Sequence, residues 1–191
     1  MKANAPIEIV NDALGYKVYY YLTDFWSQKE DYLINGNIRF EEINASNESQ
    51  ALNWAKNRDK AFRNSYNYFF KMLIDRTLKQ KGFQLSYPNK NEESKAIPGY
   101  AGWVPYDTTG IISVGDNPKE FKIDLKDVFE IRNTDSGEVS WIENRSDQIR
   151  INSQGFVLNP TDLVVSGVYH KNRIASLLPT SYQFHNSKTQ K

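Results

Sequence analysis

Residues 53–83 read NWAKNRDKAFRNSYNYFFKMLIDRTLKQKGF, and this stretch decides the fold of the 191-residue chain. It is the only long segment whose apolar residues recur at steps of three and four, which is the period of an α-helix. We predict helix from about residue 49 to residue 81, either unbroken or bent near Asn64 and Ser65, with Gly82 as its stop. The residues on one face of this helix are Trp54, Arg58, Ala61, Ser65, Phe69, Met72 and Arg76.

The rest of the chain favours β-strands, because short apolar runs alternate with turn-forming residues. In residues 16–25 the alternation places Tyr16, Val18, Tyr20 and Leu22 on the side facing the core. Asn35-Gly36 lies between two alternating runs and predicts the type I′ turn of a β-hairpin. Residues 135–137, DSG, predict a second hairpin farther along.

These patterns together predict an α+β fold, a mostly antiparallel β-sheet system with one long or broken helix, about 49–81, packed on it. Residues 1–191 are expected to form a single domain, excised from a longer exported protein, with a frayed polar tail at 184–191.

The composition argues against several classes of protein. The chain contains no cysteine, which excludes disulfides, thiolate metal sites and cysteine nucleophiles. Its formal net charge is only +1, and the basic residues of the helix do not share one face, so we expect no nucleic-acid partner. No apolar run is long enough for a membrane span, and residues 1–15 lack the apolar core of a signal peptide.

Catalytic and metal-binding patterns are also missing from the sequence. His170 and His185 are the only histidines, and neither has a possible ligand at the spacing of a metal site. A structural or surface role for His170 is favoured over catalysis. No glycine-rich phosphate loop, nucleophile elbow or zinc-protease motif occurs. The sequence therefore predicts no catalytic residue, no metal and no cofactor.

Two features are candidates for binding. Arg58 and Arg76 fall on the apolar face of the helix. An arginine there either has a structural role, in which it pairs with a buried carboxylate or stacks on an aromatic ring, or binds a ligand anion, and we favour the structural role. Residues 97–106, IPGYAGWVPY, carry Tyr100, Trp103 and Tyr106, whose rings would either stack on sugars or cover the core. The predicted binding residues are therefore Tyr100, Trp103, Tyr106 and Arg58.

Several ordered stretches resemble one family. They are LGYKV at 14–18, Trp54 followed by NR at 57–58, KGF at 81–83, and RIASLLP at 173–179 followed by Tyr182. This set resembles the C-terminal domain of Bacteroidetes proteins in which a carboxypeptidase-regulatory-like β-sandwich precedes a second domain. The chain departs from the family pattern at Asn64, where the pattern has glycine, and at Tyr68, where it often has histidine.

The resemblance implies a location in the bacterial cell envelope, either periplasmic or associated with the outer membrane. It implies no established activity and no peptidase. The leading interpretation is accordingly a non-catalytic interaction domain that binds a protein or glycan partner. The alternative is a hydrolase or transferase with a carboxylate–arginine site around Arg58.

Overall fold

The structure, a computed structural model, describes residues 5–28, 31–89, 102–171 and 174–184. Within these ranges the chain forms two α-helices and three antiparallel sheets, which confirms the predicted α+β class dominated by sheet. No helix among the described residues is long and apolar enough to cross a membrane. Contacts divide the chain into two compact units, residues 1–61 with 177–182 and residues 62–176 with 183–191. The single-domain organisation stays a prediction.

The first unit contains a three-stranded sheet in the order β1-β2-β3, formed by Ile7–Asn11, Tyr16–Gln28 and Asp31–Glu42. Tyr16, Val18 and Tyr20 on β2 are at most 6% exposed, which confirms the predicted core face at these positions, whereas Leu22 is only half-buried. Because side chains of a strand alternate between its two faces, these three residues bury one side of the sheet together.

The predicted hairpin turn at Asn35-Gly36 is wrong. Both residues lie within β3, with Gly36 opposite Leu22 and Asn35 opposite Asp24, and a bulge in β2 absorbs the extra residue between these pairs. A Cβ atom on Gly36 would collide with the backbone carbonyl of Tyr21 and would lie 2.7 Å from the Tyr20 ring. Glycine is therefore needed here because two strands approach closely, and not because the chain reverses.

Helix α1, Glu48–Arg63, begins at a side-chain cap. The backbone N–H of Gln50 donates to Oδ1 of Asn47 at 2.9 Å, and the Gln50 side chain accepts from the N–H of Ser46 at 2.7 Å. This exchange resembles a capping box and satisfies donors that the first turn would leave unpaired.

Helix α2, Tyr66–Ile74, follows after a break at Asn64 and Ser65, as the bent-helix alternative predicted. The α-helix thus ends at Ile74, before the predicted end at about residue 81. Gly82, with φ 70°, ends only a separate 3₁₀ turn, Lys79–Lys81. Arg76 does not continue the helical face, since it is exposed and lies beyond the end of α2 with φ 57°. The buried residues of α2 are Tyr68, Phe69, Phe70, Met72 and Leu73.

The second unit contains a five-stranded and a three-stranded antiparallel sheet, both rich in buried aliphatic and aromatic residues. The strands of the second unit are β4 Phe83–Pro88, β5 Trp103–Pro105, β6 Ile112–Val114, β7 Glu120–Ile123, β8 Asp127–Asn133, β9 Val139–Asn144, β10 Ile149–Asn152 and β11 Leu163–Gly167. The larger sheet has the order β11-β9-β8-β4-β5, so β5 forms one edge and β11 the other, and the smaller sheet has the order β10-β7-β6.

Turn chemistry fixes these strands. Strands β8 and β9 form the predicted hairpin, in which Oδ1 of Asn133 accepts the N–H groups of Asp135 and Ser136, both at 3.0 Å. Strand β11 ends at Gly167, and a 3₁₀ turn, Val168–Lys171, follows it. Residues 103–105, within the glycine- and proline-rich segment 97–106, form the short strand β5.

Candidate functional site

Arg58 lies on a face of α1 that contacts the turn between β1 and β2. Trp54 Nε1 donates to the carbonyl of Asp12 at 2.6 Å, and Asn57 Nδ2 donates to that of Ala13 at 2.8 Å. Arg58 Nε and Nη2 donate to the next two carbonyls, at 2.7 and 3.3 Å. Side chains three and four apart share a helix face, which brings Trp54, Asn57 and Arg58 to four consecutive carbonyls, those of residues 12–15. We call this set the helix–turn ladder.

The third nitrogen of Arg58 is also engaged. Its Nη1 lies 3.2 Å from Oε1 of Glu42, and its guanidinium carbon lies 4.0 Å from the centre of the Tyr16 ring. Each guanidinium nitrogen therefore has an acceptor within the first unit. This geometry favours the structural role of Arg58 over a ligand-anion role. It also argues against the open carboxylate–arginine site that the hydrolase or transferase alternative would need.

The aromatic candidates lie in the second unit, except that Tyr100 falls outside the described residues. Trp103 is half-buried on the edge strand β5, opposite Pro88. Tyr106 follows β5, and its backbone N–H donates to the carbonyl of Leu85 at 2.9 Å. Its side chain is 43% exposed, and its ring centroid lies 4.7 Å from that of Tyr87. The sequence prediction did not include Tyr87.

The Tyr87 ring packs against both Tyr106 and the core. Its ring lies 6.2 Å from that of Phe129, a core residue with no exposed surface, and burial raises the pKa of the Tyr87 phenol. Val104, directly opposite Tyr87 in the register, is 42% exposed. We call Tyr87, Trp103, Val104 and Tyr106 the aromatic edge. The alternation Phe83, Leu85, Tyr87 in β4 was the sequence signal that could have added Tyr87 to the set.

The chain just after the aromatic edge is held by a side-chain turn. Oδ1 of Asp107 accepts both the backbone N–H of Thr109, at 2.9 Å, and its hydroxyl, at 2.7 Å. The Thr109 hydroxyl, followed by its N–H, lowers the pKa of the Asp107 carboxyl, which therefore stays ionised at neutral pH. Tyr106 is thus fixed on one side by β4 and on the other by this turn.

A cavity of about 230 Å³ lies elsewhere in the second unit. Polar side chains of Arg63, Asn133, Glu138, Ser140 and Tyr169 line it. No short-range pattern predicted this grouping, because its members come from α1, β8, the β8–β9 turn, β9 and the 3₁₀ turn after β11.

Metal chemistry has no candidate in the described part of the chain, where no cluster of three or more His, Asp or Glu side chains could hold an ion. His170 is exposed in the 3₁₀ turn Val168–Lys171, and His185 falls outside the described residues.

No family model matches the chain, and neither does any curated protein or solved structure.

Proposed function

We propose that this chain is a non-catalytic binding domain of a bacterial cell-envelope protein, and that the aromatic edge contacts a protein or glycan partner. The observation that carries the proposal is the exposed Tyr106 ring, held against the ring of Tyr87 at the edge of the five-stranded sheet. Aromatic rings that are rigid before binding contribute large contact area at little entropic cost.

The position of the aromatic edge adds to this argument. Strand β5 is the last strand of its sheet among the described residues, and Val104 on it is exposed. An apolar edge beside a fixed aromatic ring offers a partner both ring stacking and van der Waals contact. The alternative suggested for these residues, a plug that covers the core, fits Tyr87 and the half-buried Trp103 better than it fits Tyr106.

The envelope location rests on the resemblance of the ordered sequence stretches to the Bacteroidetes domain. That resemblance supports a periplasmic or outer-membrane-associated protein and supports no particular enzymatic activity. The exposed ring and apolar strand of the aromatic edge support a protein or glycan as the class of partner.

The experiment is a screen of envelope glycans and peptides for binding to the purified chain, followed by titration of each ligand found. We expect Tyr106→Ala to weaken binding about tenfold or more, as truncation of a central aromatic contact does. Val114→Ala is the matched control, because Val114 is an exposed apolar residue of β6 in the other sheet of the same unit. Absence of any ligand at micromolar concentration, or equal binding by the two variants, would refute the proposal.

A further inference from the structure

The cavity of about 230 Å³ in the second unit combines a carboxylate with several hydrogen-bond donors. Oε2 of Glu138 accepts from the Ser136 hydroxyl at 3.2 Å. Within the described residues, Oε1 of Glu138 accepts no hydrogen bond, so it remains as an acceptor for a ligand. A carboxylate oxygen at a cavity wall lowers the free energy of binding only for ligands that can donate to it.

The donors are held in place by the fold. Asn133 uses its Oδ1 for two backbone N–H groups of the β8–β9 turn, which leaves the Nδ2 end of its amide as a donor. Ser140 is almost fully buried, and its Oγ accepts the backbone N–H of Tyr169 at 3.1 Å, so its own proton remains to be donated. Both side chains are thereby oriented before any ligand arrives.

Tyr169 adds a third donor. Burial and the nearby charge of Glu138 raise the pKa of its phenol, so the hydroxyl keeps its proton at neutral pH. Its ring packs edge-on to Tyr66, with centroids 6.4 Å apart. The described residues provide no hydrogen-bond partner for the hydroxyl of Tyr169.

The charges of the cavity balance. The guanidinium carbon of Arg63 lies 4.7 Å from the centre of the Phe184 ring, and its Nη1 donates to the Tyr68 hydroxyl at 3.4 Å. Residues of the second unit therefore hold the guanidinium in position. With one cation and one carboxylate in the lining, an anionic ligand would meet Glu138 and a cationic one would meet Arg63. Uncompensated charge in a partly buried site is costly, which favours a ligand without net charge.

We propose that this cavity binds a single neutral sugar ring. Hydroxyl groups of a pyranose both donate and accept, which fits Glu138 together with the donors of Asn133, Ser140 and Tyr169. The apolar wall that includes Phe83 and Ile131 suits the C–H face of such a ring. The volume lies below the roughly 300–1,000 Å³ of sites for larger ligands, so one ring fits and an oligosaccharide does not.

This proposal does not depend on the aromatic edge. The test is titration of the ¹⁵N-labelled chain with methyl glycosides of common hexoses and of N-acetylglucosamine, followed by NMR chemical shifts. We expect saturable shifts of the backbone signals of Asn133, Glu138 and Tyr169 for at least one glycoside. Tyr106→Ala should leave these shifts unchanged, so failure of one proposal is distinguishable from failure of the other.

Two near-isosteric variants address the contacts. Glu138→Gln and Tyr169→Phe should each weaken glycoside binding about tenfold, since each removes a hydrogen-bonding group from the cavity. Glu143→Gln is the control, because Glu143 lies on β9, the strand that follows Glu138, and pairs with Arg145 outside the cavity. Circular dichroism of each variant checks that it is folded. If one variant does not fold, the other alone tests the proposal.

Three results would overturn the proposal. One is the absence of saturable shifts at millimolar glycoside, and another is glycoside binding that neither cavity variant weakens. The third is saturation of the same signals by free amino acids and not by glycosides, which would assign the cavity to zwitterions.

Discussion

Position 15 in the first unit accepts glycine and little else. It ends the turn before β2 with φ +67°, and a Cβ atom there would collide with the ring of Trp54. We expect Gly15→Ala to lower the free energy of unfolding by about 3 kcal/mol, because backbone strain adds to loss of Trp54 packing. Gly110→Ala, at φ +82° with no atom within 4 Å of the added methyl, should cost only about 1 kcal/mol. Calorimetric unfolding measures both, and equal losses would contradict the packing argument.

Tyr16 makes the free energy of unfolding depend on pH in the alkaline range. Burial raises the pKa of its phenol to about 12 from an ordinary 10.0, and the charge of Glu42 adds to the rise while Arg58 opposes it. The unfolded chain therefore loses this proton at lower pH than the folded chain does. The stabilisation is complete below pH 10.0 and is lost as the pH rises to about 12.

The variant Tyr16→Phe isolates this effect. It has no phenol to ionise, so its free energy of unfolding should fall less steeply than that of the parent over the same alkaline window. Urea unfolding at a series of pH values measures the two slopes. Parallel slopes would show that the pKa of Tyr16 is not raised by folding.

At the scale of the element, Arg76 decides how α2 ends. Its backbone N–H donates to the carbonyl of Leu73 at 3.1 Å, and that of Thr77 to the carbonyl of Met72 at 2.9 Å, which is a Schellman-type ending. The left-handed position of such an ending is normally glycine. We expect Arg76→Gly to raise the free energy of unfolding by about 1 kcal/mol, measured by urea unfolding. Arg76→Ala keeps the Cβ atom, and a gain of the same size from it would contradict this explanation.

The helix–turn ladder should be the main polar attachment of α1 within the first unit. We expect Asn57→Ala to lower the free energy of unfolding by about 1 kcal/mol and Arg58→Lys by about 2 kcal/mol, since lysine cannot reach two carbonyls and Glu42 together. Arg39→Lys is the control, because Arg39 is 53% exposed and pairs with Glu41, and it should cost about 0.5 kcal/mol or less. Urea unfolding distinguishes them, and an Arg58→Lys variant as stable as the control would refute the ladder.

The elements were largely predictable, because the signals that define them are local. The helix and its break at Ser65 follow from periodicity and from residues with special backbone preferences. Arg76 was misplaced because helical spacing continues past the point where the backbone turns left-handed. Asn35-Gly36 was misread because a turn glycine and a close-approach glycine look alike in sequence, and only pairing across β2 and β3 separates them.

At the scale of the whole molecule, the binding features were predictable only in part. Trp103 and Tyr106 stood out as aromatic residues in a segment rich in glycine and proline, and the structure adds Tyr87 as the support. The cavity was not predictable, since Arg63 and Tyr169 are far apart in sequence and no motif joins them. Such a grouping depends on long-range pairing of strands, which periodicity does not report.

The ladder also has a kinetic consequence. It joins residues 42 to 44 apart in sequence, whereas β2 and β3 are neighbours along the chain. Hairpins close in microseconds, while contacts over long loops wait for the entropy of closure to be overcome. We expect α1 to dock after the rate-limiting barrier, so that Asn57→Ala speeds unfolding in stopped-flow measurements and leaves refolding nearly unchanged. Slowed refolding would place docking before the barrier. The lifetime of the folded first unit, more than the speed at which it forms, is then set by a few carbonyls in one turn.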